Sequence, residues 1–249
     1  MQQFGIMSKI DLTAYKRPQM ERRINSFMRS HGAEGYHSFI SMLQTDQTLY
    51  RKFIEHLTIN VSEFFRNQAH WEVLENQVIP ELLSDRSTLK IWSAGCSTGE
   101  EPYSLAMLMK ERFQSRSDKI LATDIDQDVL DKASQAIYTE KAVSTLPPYY
   151  ARKYLVREGE YYRLSDDIKQ MVTFKQHDLL KDPYPRYNDL ILCRNVVIYF
   201  TEETKCRLYQ NFADALRPGG VLFIGSTEQI FQARELGLKS IATFFYQKL

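Results

Sequence analysis

Cysteine is scarce in this sequence. Cys96, Cys193 and Cys206 are odd in number and irregularly spaced, which excludes a disulfide framework and a zinc knuckle. Histidine offers no alternative: His31, His37, His56, His70 and His177 form no HxxxH or similar ligand pair, so no metal is called for. Long apolar runs are missing as well. The longest are far too short to cross a bilayer, and the leading MQQFGIMSKIDL lacks a signal-peptide pattern. A reduced, cytoplasmic setting without membrane insertion is expected. Nor does one sign of charge dominate. Lys and Arg number 32 against 31 Asp and Glu, a net charge of +1, so the chain as a whole is no polyanion binder.

What is present is ordinary globular material. With 249 residues, 43% hydrophobic and 25% charged, the chain can build one large domain, or a medium one plus a small one. Residues 1–70 read as a small all-helical unit. Tyr15 to Arg29 carries an apolar stripe at Met20, Ile24, Phe27 and Met28, and Tyr36 to Leu43 and Arg51 to Thr58 give two further helices. The first helix is basic: Lys16, Arg17, Arg22, Arg23 and Arg29 are opposed only by Glu21. Such a run is either a solvated face or a docking face for an acidic partner, and charge alone does not choose. Asn60 to Arg66 (NVSEFFR) follows, with Asn60 and Ser62 suited to an ordered turn. Trp71 to Leu83 reads as a linking helix.

Residues 71–249 are organised around Leu89 to Met109. A short apolar run, Leu89 to Trp92, leads into the small and flexible Ser93-Ala94-Gly95-Cys96-Ser97-Thr98-Gly99, and a helix follows from Glu100. Pro102 is tolerable only in that helix's first turn. Strand, glycine loop and helix together are how an α/β domain builds a nucleotide site at the carboxyl end of a strand. Lys119 to Asp124 is a second buried strand ending in an acid, where such folds accept hydrogen bonds from ribose hydroxyls. An insertion at about 149–170 looks like a short hairpin. Further strands are expected at Met171 to Phe174, Asp189 to Asn195, Val221 to Gly225 and Ala242 to Tyr246. A helix from Thr201 to Leu216 is capped by Thr201. The alternation predicts an α/β, Rossmann-like and mostly parallel sheet covered on both faces.

The ligand can be narrowed by elimination. A P-loop needs GxxxxGK(S/T), and no lysine follows Gly95 at that spacing; GxGxxG fails too, since no further glycine follows Gly99 in register. Glu100 and Glu101 would repel a phosphate at the helix terminus. S-adenosylmethionine fits better: it has no phosphate, a ribose for Asp124, and a cationic amino group for Glu100 or Glu101.

Several runs then resemble one family. They are Asn60 to Arg66, Trp92 to Ser104 (WSAGCSTGEEPYS), Ala122 to Asp126 (ATDID), Cys193 to Phe200 (CRNVVIYF) and Leu216 to Gly220 (LRPGG). Together they resemble the chemotaxis receptor glutamate O-methyltransferases, the CheR family, over essentially the whole chain. The resemblance implies a Rossmann-like S-adenosylmethionine-dependent methyltransferase domain, 71–249, with a small β-hairpin insertion, behind a helical receptor-docking domain, 1–70. It implies methyl-esterification of glutamates on cytoplasmic helices of chemoreceptors, giving S-adenosylhomocysteine as product. It places Asn60, Ser62, Arg66, Glu100, Asp124, Asp178, Leu179, Arg194 and Asn195 around the cofactor. Ser62 stands where many members have Thr, and Asp178 where Asn is common. Family members can use the insertion to dock a receptor-tail peptide; the short turn Arg157 to Tyr161 is not expected to do so.

A substrate glutamate is ionised at neutral pH and needs no general base. Arg66 and Tyr199 are therefore expected to act by positioning, and Arg22, Arg23 and Arg29 to seat an acidic receptor helix. A monomer that binds no nucleic acid is expected. Two rivals stay open on sequence alone. One is a nucleic-acid methyltransferase, against which stands the missing (N/D)PPY at Cys193 to Val196. The other is a non-catalytic adenosylmethionine-binding adaptor.

Overall fold

A computed structural model describes residues 2–8, 10–113 and 119–249, except for the side chains of Gln2, Gln3 and Ile6. The chain divides into two compact units. One comprises Met1–Asn60 with Val197–Arg207, the other Val61–Val196 with Leu208–Leu249. The first unit thus ends at Asn60 and not near residue 70, and it takes back a later piece of chain.

The first unit contains α1 (Gln2–Ser8), α2 (Arg17–Ser30), α3 (Tyr36–Thr45) and α4 (Gln47–Thr58). Their apolar stripes meet in an aromatic cluster of Phe4, Phe27, Phe39 and Phe53, with ring centroids 5.2–6.0 Å apart in tilted or edge-on contacts. The helix α4 starts at Gln47, ahead of the apolar pattern, because the Asp46 carboxylate accepts from the Thr48 and Leu49 amides, both at 2.9 Å. The returning piece is stitched on by backbone. The Lys16 amide donates to the Tyr199 carbonyl and the Thr201 amide to the Ala14 carbonyl, both at 2.9 Å. The Tyr15 and Phe200 rings lie 4.5 Å apart beside them.

The second unit opens with α5 (Gln68–Val73), a π-turn (Leu74–Val78) and α6 (Ile79–Leu82), where a single helix was expected. Pro80 supplies the reason. It has no N–H for the carbonyl one turn back, and its ring crowds that carbonyl, so the turn just before it widens. There follow β1 (Ile91–Ala94), α7 (Glu100–Arg112), β2 (Ile120–Asp124), α8 (Gln127–Gln135), β3 (Ile137–Thr139), α9 (Glu140–Val143), α10 (Pro148–Tyr154), β4 (Leu155–Glu158), β5 (Tyr161–Leu164), α11 (Asp166–Lys169), β6 (Val172–Gln176), β7 (Asn188–Cys193), α12 (Glu202–Ala215), β8 (Leu216–Ile224), β9 (Leu238–Ala242) and β10 (Phe245–Lys248). The Thr201 hydroxyl accepts from the Thr204 amide at the start of α12, as a cap should.

Seven strands form one sheet in the order β6-β2-β1-β7-β8-β10-β9. The neighbours from β6 to β8 are parallel, and β10 is antiparallel to both β8 and β9. The predicted α/β sheet is therefore the observed one, with an antiparallel edge. The expected last strand, Ala242 to Tyr246, straddles a hairpin turn, with Ala242 ending β9, Phe245 and Tyr246 opening β10, and Phe244 between them at φ +70°. The insertion is likewise larger than a hairpin, because β3 joins β5 and β4 in a three-stranded antiparallel sheet. In the main sheet, successive connections run from β1 outward to β2 and β6, then return across to β7 and β8. That reversal opens a crevice at the carboxyl ends of β1 and β7, where such sheets bind ligands. Among the described residues no helix is long and apolar enough to cross a membrane.

Candidate functional site

The loop Gly95 to Gly99 leaves the carboxyl end of β1 and is tied down amide by amide. The Gly95 and Cys96 N–H groups both donate to the Thr123 carbonyl, at 2.8 and 2.9 Å, and Gly99 N–H donates to the Cys96 carbonyl at 3.1 Å. The Ser97 amide donates to the Asp124 carboxylate at 2.8 Å. A phosphate cradle works by leaving such amides free. Here four of them are internally bonded, so the loop is shaped for a ligand without phosphate. Gly95 and Gly99 have φ of +81° and +92°, and a side chain on Gly95 would run into Val196. Backbone conformation and close approach both require glycine there.

The acids around the loop divide the work. Asp124, at the end of β2, is buried and accepts from the Ser97 and Asp126 amides. Burial pushes its carboxyl up, and those amides pull it back. A carboxylate has lone pairs beyond two, so Asp124 can shape the loop and still accept from a ribose hydroxyl. Glu100 is 5% exposed and accepts from the Thr98 hydroxyl at 2.7 Å. Glu101 has other partners. It accepts from the Ser93 hydroxyl at 2.8 Å and faces Arg194 at 3.5 Å. Of the two acids, Glu100 is therefore the one left for a ligand ammonium.

Arg194, at the end of β7, is placed among protein groups. Its guanidinium donates to the Arg66 carbonyl at 2.7 Å and to the Asn67 side-chain oxygen at 3.3 Å, and lies 4.5 Å from the centre of the Phe223 ring. Burial disfavours charge on Arg194 and on Glu101, and their mutual attraction offsets it. The Arg194 side chain holds the Phe65–Asn67 turn, in which Phe65 and Asn67 have positive φ. That turn is fixed a second time. The Phe65 amide donates to the Ser104 hydroxyl at 2.9 Å, which itself donates to the Glu100 carbonyl at 2.7 Å. Arg66 is thereby set beside the first turn of α7, half-buried, with no side-chain hydrogen bond among the described residues. Ser62 is half-buried in the same segment.

Asp178 and Leu179 follow β6, whose end is tied to β2 by the His177 amide donating to the Asp124 carbonyl at 2.9 Å. The Asp178 carboxylate accepts from the Leu180 amide at 2.9 Å and faces Lys181 at 3.3 Å. Asn195 has φ +60°, and its side-chain oxygen is buried without a partner among the described residues; so is the Ser97 hydroxyl. Two orphaned polar atoms at the mouth of this loop are what a ligand rich in N–H and O–H groups would satisfy. With the bonded amides and Glu100, they fit S-adenosylmethionine. Cys96 and Cys193 are buried, which pushes both thiols well up and leaves neither a nucleophile.

The remaining expected residues lie in the first unit. The Asn60 side chain donates to the Thr58 hydroxyl at 2.9 Å. Tyr199 sits in a single helical turn, Val197–Tyr199, half-buried. Arg22 and Arg29 are exposed on α2, but Arg23 turns inward and donates to the His56 carbonyl. Of the three arginines expected to seat an acidic helix, two are thus exposed. Sequence reasoning missed Tyr138 of β3, a buried residue whose hydroxyl donates to the Thr98 carbonyl of the glycine loop at 3.0 Å. A three-residue strand carries no periodicity that would have revealed it.

Two family models match the chain. "CheR methyltransferase, SAM binding domain" covers residues 60–243, and "CheR methyltransferase, all-alpha domain" covers residues 7–58. A chemotaxis protein methyltransferase of Listeria innocua is 46% identical over 240 residues, 96% of this chain and 92% of the relative. One from Borreliella burgdorferi is 35% identical, covering 94% of this chain and 88% of the relative. A third, from Salmonella typhimurium, is 32% identical, covering 96% and 85%.

Proposed function

Because the chain belongs to the CheR methyltransferase family, we propose that it methylates glutamate side chains on the cytoplasmic helices of chemoreceptors. S-adenosylmethionine is its cofactor, and the transfer yields glutamate methyl esters. The observation that carries the reading is Arg66, a guanidinium without a side-chain hydrogen bond among the described residues, held by its own backbone beside a loop that excludes phosphate.

Bound S-adenosylmethionine supplies an activated methyl group on a sulfonium and leaves as S-adenosylhomocysteine. A glutamate carboxylate, which ordinarily titrates near a pH of about 4.3, is already the nucleophile at neutral pH. S-adenosylmethionine held there would supply its methyl carbon to one of the carboxylate oxygens, with the electron pair of the broken carbon–sulfur bond left on sulfur. No proton moves, so the residues have only to orient and to exclude water. Arg66 orients the carboxylate. A full bidentate clamp there would stabilise the ground-state charge that transfer removes, so a single orienting contact is the productive arrangement. Tyr199 has the same role through its hydroxyl. Glu100 takes the ligand ammonium, Asp124 the ribose, and Asn60, Ser62, Asp178, Leu179, Arg194 and Asn195 complete the cofactor's surroundings. Arg22 and Arg29 steer glutamate-rich receptor helices.

The test offers methyl-labelled S-adenosylmethionine to receptor cytoplasmic fragments and to RNA, followed by mild alkali. Label released from protein by alkali marks carboxyl esters. Label in RNA, or none on either, overturns the reading.

A further inference from the structure

One buried acid lies outside the residues assigned above. Glu228, 5% exposed, follows β8, and a single oxygen of its carboxylate accepts from two backbone amides, Gly225 and Asn195, the second at 3.2 Å. The Glu228 amide in turn donates to the Gly225 carbonyl at 3.0 Å, closing a tight turn. The approach is close enough to exclude any side chain at Gly225. A Cβ there would lie 2.6 Å from the Asn195 nitrogen, 2.7 Å from the Glu228 oxygen and 3.0 Å from the Asn195 side-chain nitrogen.

We propose that Glu228 is a positioning residue of the cofactor site: its carboxylate staples the turn after β8 to the turn after β7, and so holds Asn195 with its side-chain oxygen presented to the cofactor. Two features of Asn195 call for such a device. Its φ of +60° is a conformation that non-glycine residues seldom adopt, and its side-chain oxygen is buried without a partner among the described residues. Both cost free energy, and a buried oxygen that accepts from one amide of each turn is a means of holding them. Asn195 adjoins Arg194 in sequence, so the same staple fixes where the Arg194 guanidinium enters its own contacts with Arg66 and Glu101.

The inference rests on the cofactor placement proposed above, and one set of variants separates the two. S-adenosylhomocysteine is titrated calorimetrically into the full-length protein, with thermal unfolding recorded in parallel. Glu228→Ala is expected to weaken binding at least tenfold and to raise KM for S-adenosylmethionine more than it lowers kcat. Gly225→Ala, which drives a methyl group between the same two turns, is expected to do likewise. Glu228→Gln keeps an oxygen for both amides and is expected to bind within threefold of wild type. Should Glu228→Ala not fold, Glu228→Asp withdraws the oxygen from both amides and carries the same comparison. Wild-type affinity in Glu228→Ala with only a lowered Tm makes the residue merely structural and overturns the inference. So does a Glu228→Gln variant as defective as Glu228→Ala, since charge beside Arg194 would then be what matters. Wild-type affinity in Asn195→Ala overturns the cofactor placement itself. Weakened binding in Asn195→Ala alongside unchanged Glu228→Ala overturns the staple alone.

Discussion

Replacing Glu101 with alanine tests how the Arg194 centre is balanced. The Arg194 side chain is 2% exposed and Glu101 13%, so the variant leaves a guanidinium in the interior without its carboxylate. Removing one partner of a buried pair costs about 3–5 kcal/mol. The structure points to the lower end. The pair is 3.5 Å apart, and Arg194 keeps the Arg66 carbonyl at 2.7 Å, the Asn67 oxygen at 3.3 Å and the Phe223 ring at 4.5 Å. A loss of about 3 kcal/mol in a chain of this size lowers Tm by roughly 6–12 °C. Differential scanning calorimetry on Glu101→Ala, Arg194→Met and the double variant reads this directly. Arg194→Met strands the Glu101 carboxylate in turn, so the double variant is expected to lose less than the sum of the two singles, with a coupling of roughly 1–2 kcal/mol. A Tm for Glu101→Ala within about 2 °C of wild type, or a double variant that falls by the sum of the singles, would show that no such pair balances the centre.

Other expectations concern different parts of the molecule. Arg66→Ala should lower turnover at least tenfold beyond any loss of S-adenosylhomocysteine affinity, which is measured separately; turnover near wild type removes Arg66 from the mechanism. Gly95→Ala meets Val196 at a φ of +81° and should abolish calorimetric binding of S-adenosylhomocysteine, so retained binding means that the loop is not the cofactor's seat. Arg22→Glu with Arg29→Glu should raise KM for a receptor fragment about tenfold and flatten its salt dependence; an unchanged KM refutes the docking face. Glu111 concerns acid stability. Burial works to raise its carboxyl, but hydrogen bonds from Lys153, Tyr149 and Tyr154 outweigh that and bring it down to about 2, well below the usual carboxylate range. A depressed carboxyl stabilises the fold above its unfolded pKa and stops doing so as pH falls through the folded one. Urea midpoints at pH 6 and pH 3 should therefore differ less in Glu111→Gln than in wild type, and an equal difference refutes the assignment.

The sheet was legible because β1, β2 and β7 are buried on both faces and read as short apolar runs ending in chemistry-bearing residues. The same logic brings Asp124 and Asn195 to one end of it from the residues alone. Four things were not legible. A helix as short as α1 carries too few residues to show a stripe, and the three residues of β3 cannot show alternation. The turn at Phe244 joins two antiparallel strands through a residue type that favours strands, so the hairpin reads as one run. Finally, Arg194 and Glu101 are both ionic residues in a candidate site, and sequence gives no reason to pair them with each other in preference to a ligand. The Arg66 carbonyl, the Asn67 oxygen and the Phe223 ring, distant in sequence from Arg194, show where that guanidinium goes.

The return of Val197–Arg207 to the helical unit has a consequence for anyone who wishes to cut or graft this protein. A module that the chain enters twice cannot be removed by trimming one end. A fragment ending at Asn60 would lose the strap that Lys16, Ala14 and Tyr15 hold, and a protein starting at Val61 would carry that strap with nothing to fasten it. Exchanging the helical unit between relatives by swapping only the first 60 residues should therefore give poorly folded chimaeras. Swaps that carry 197–207 along with them should fold.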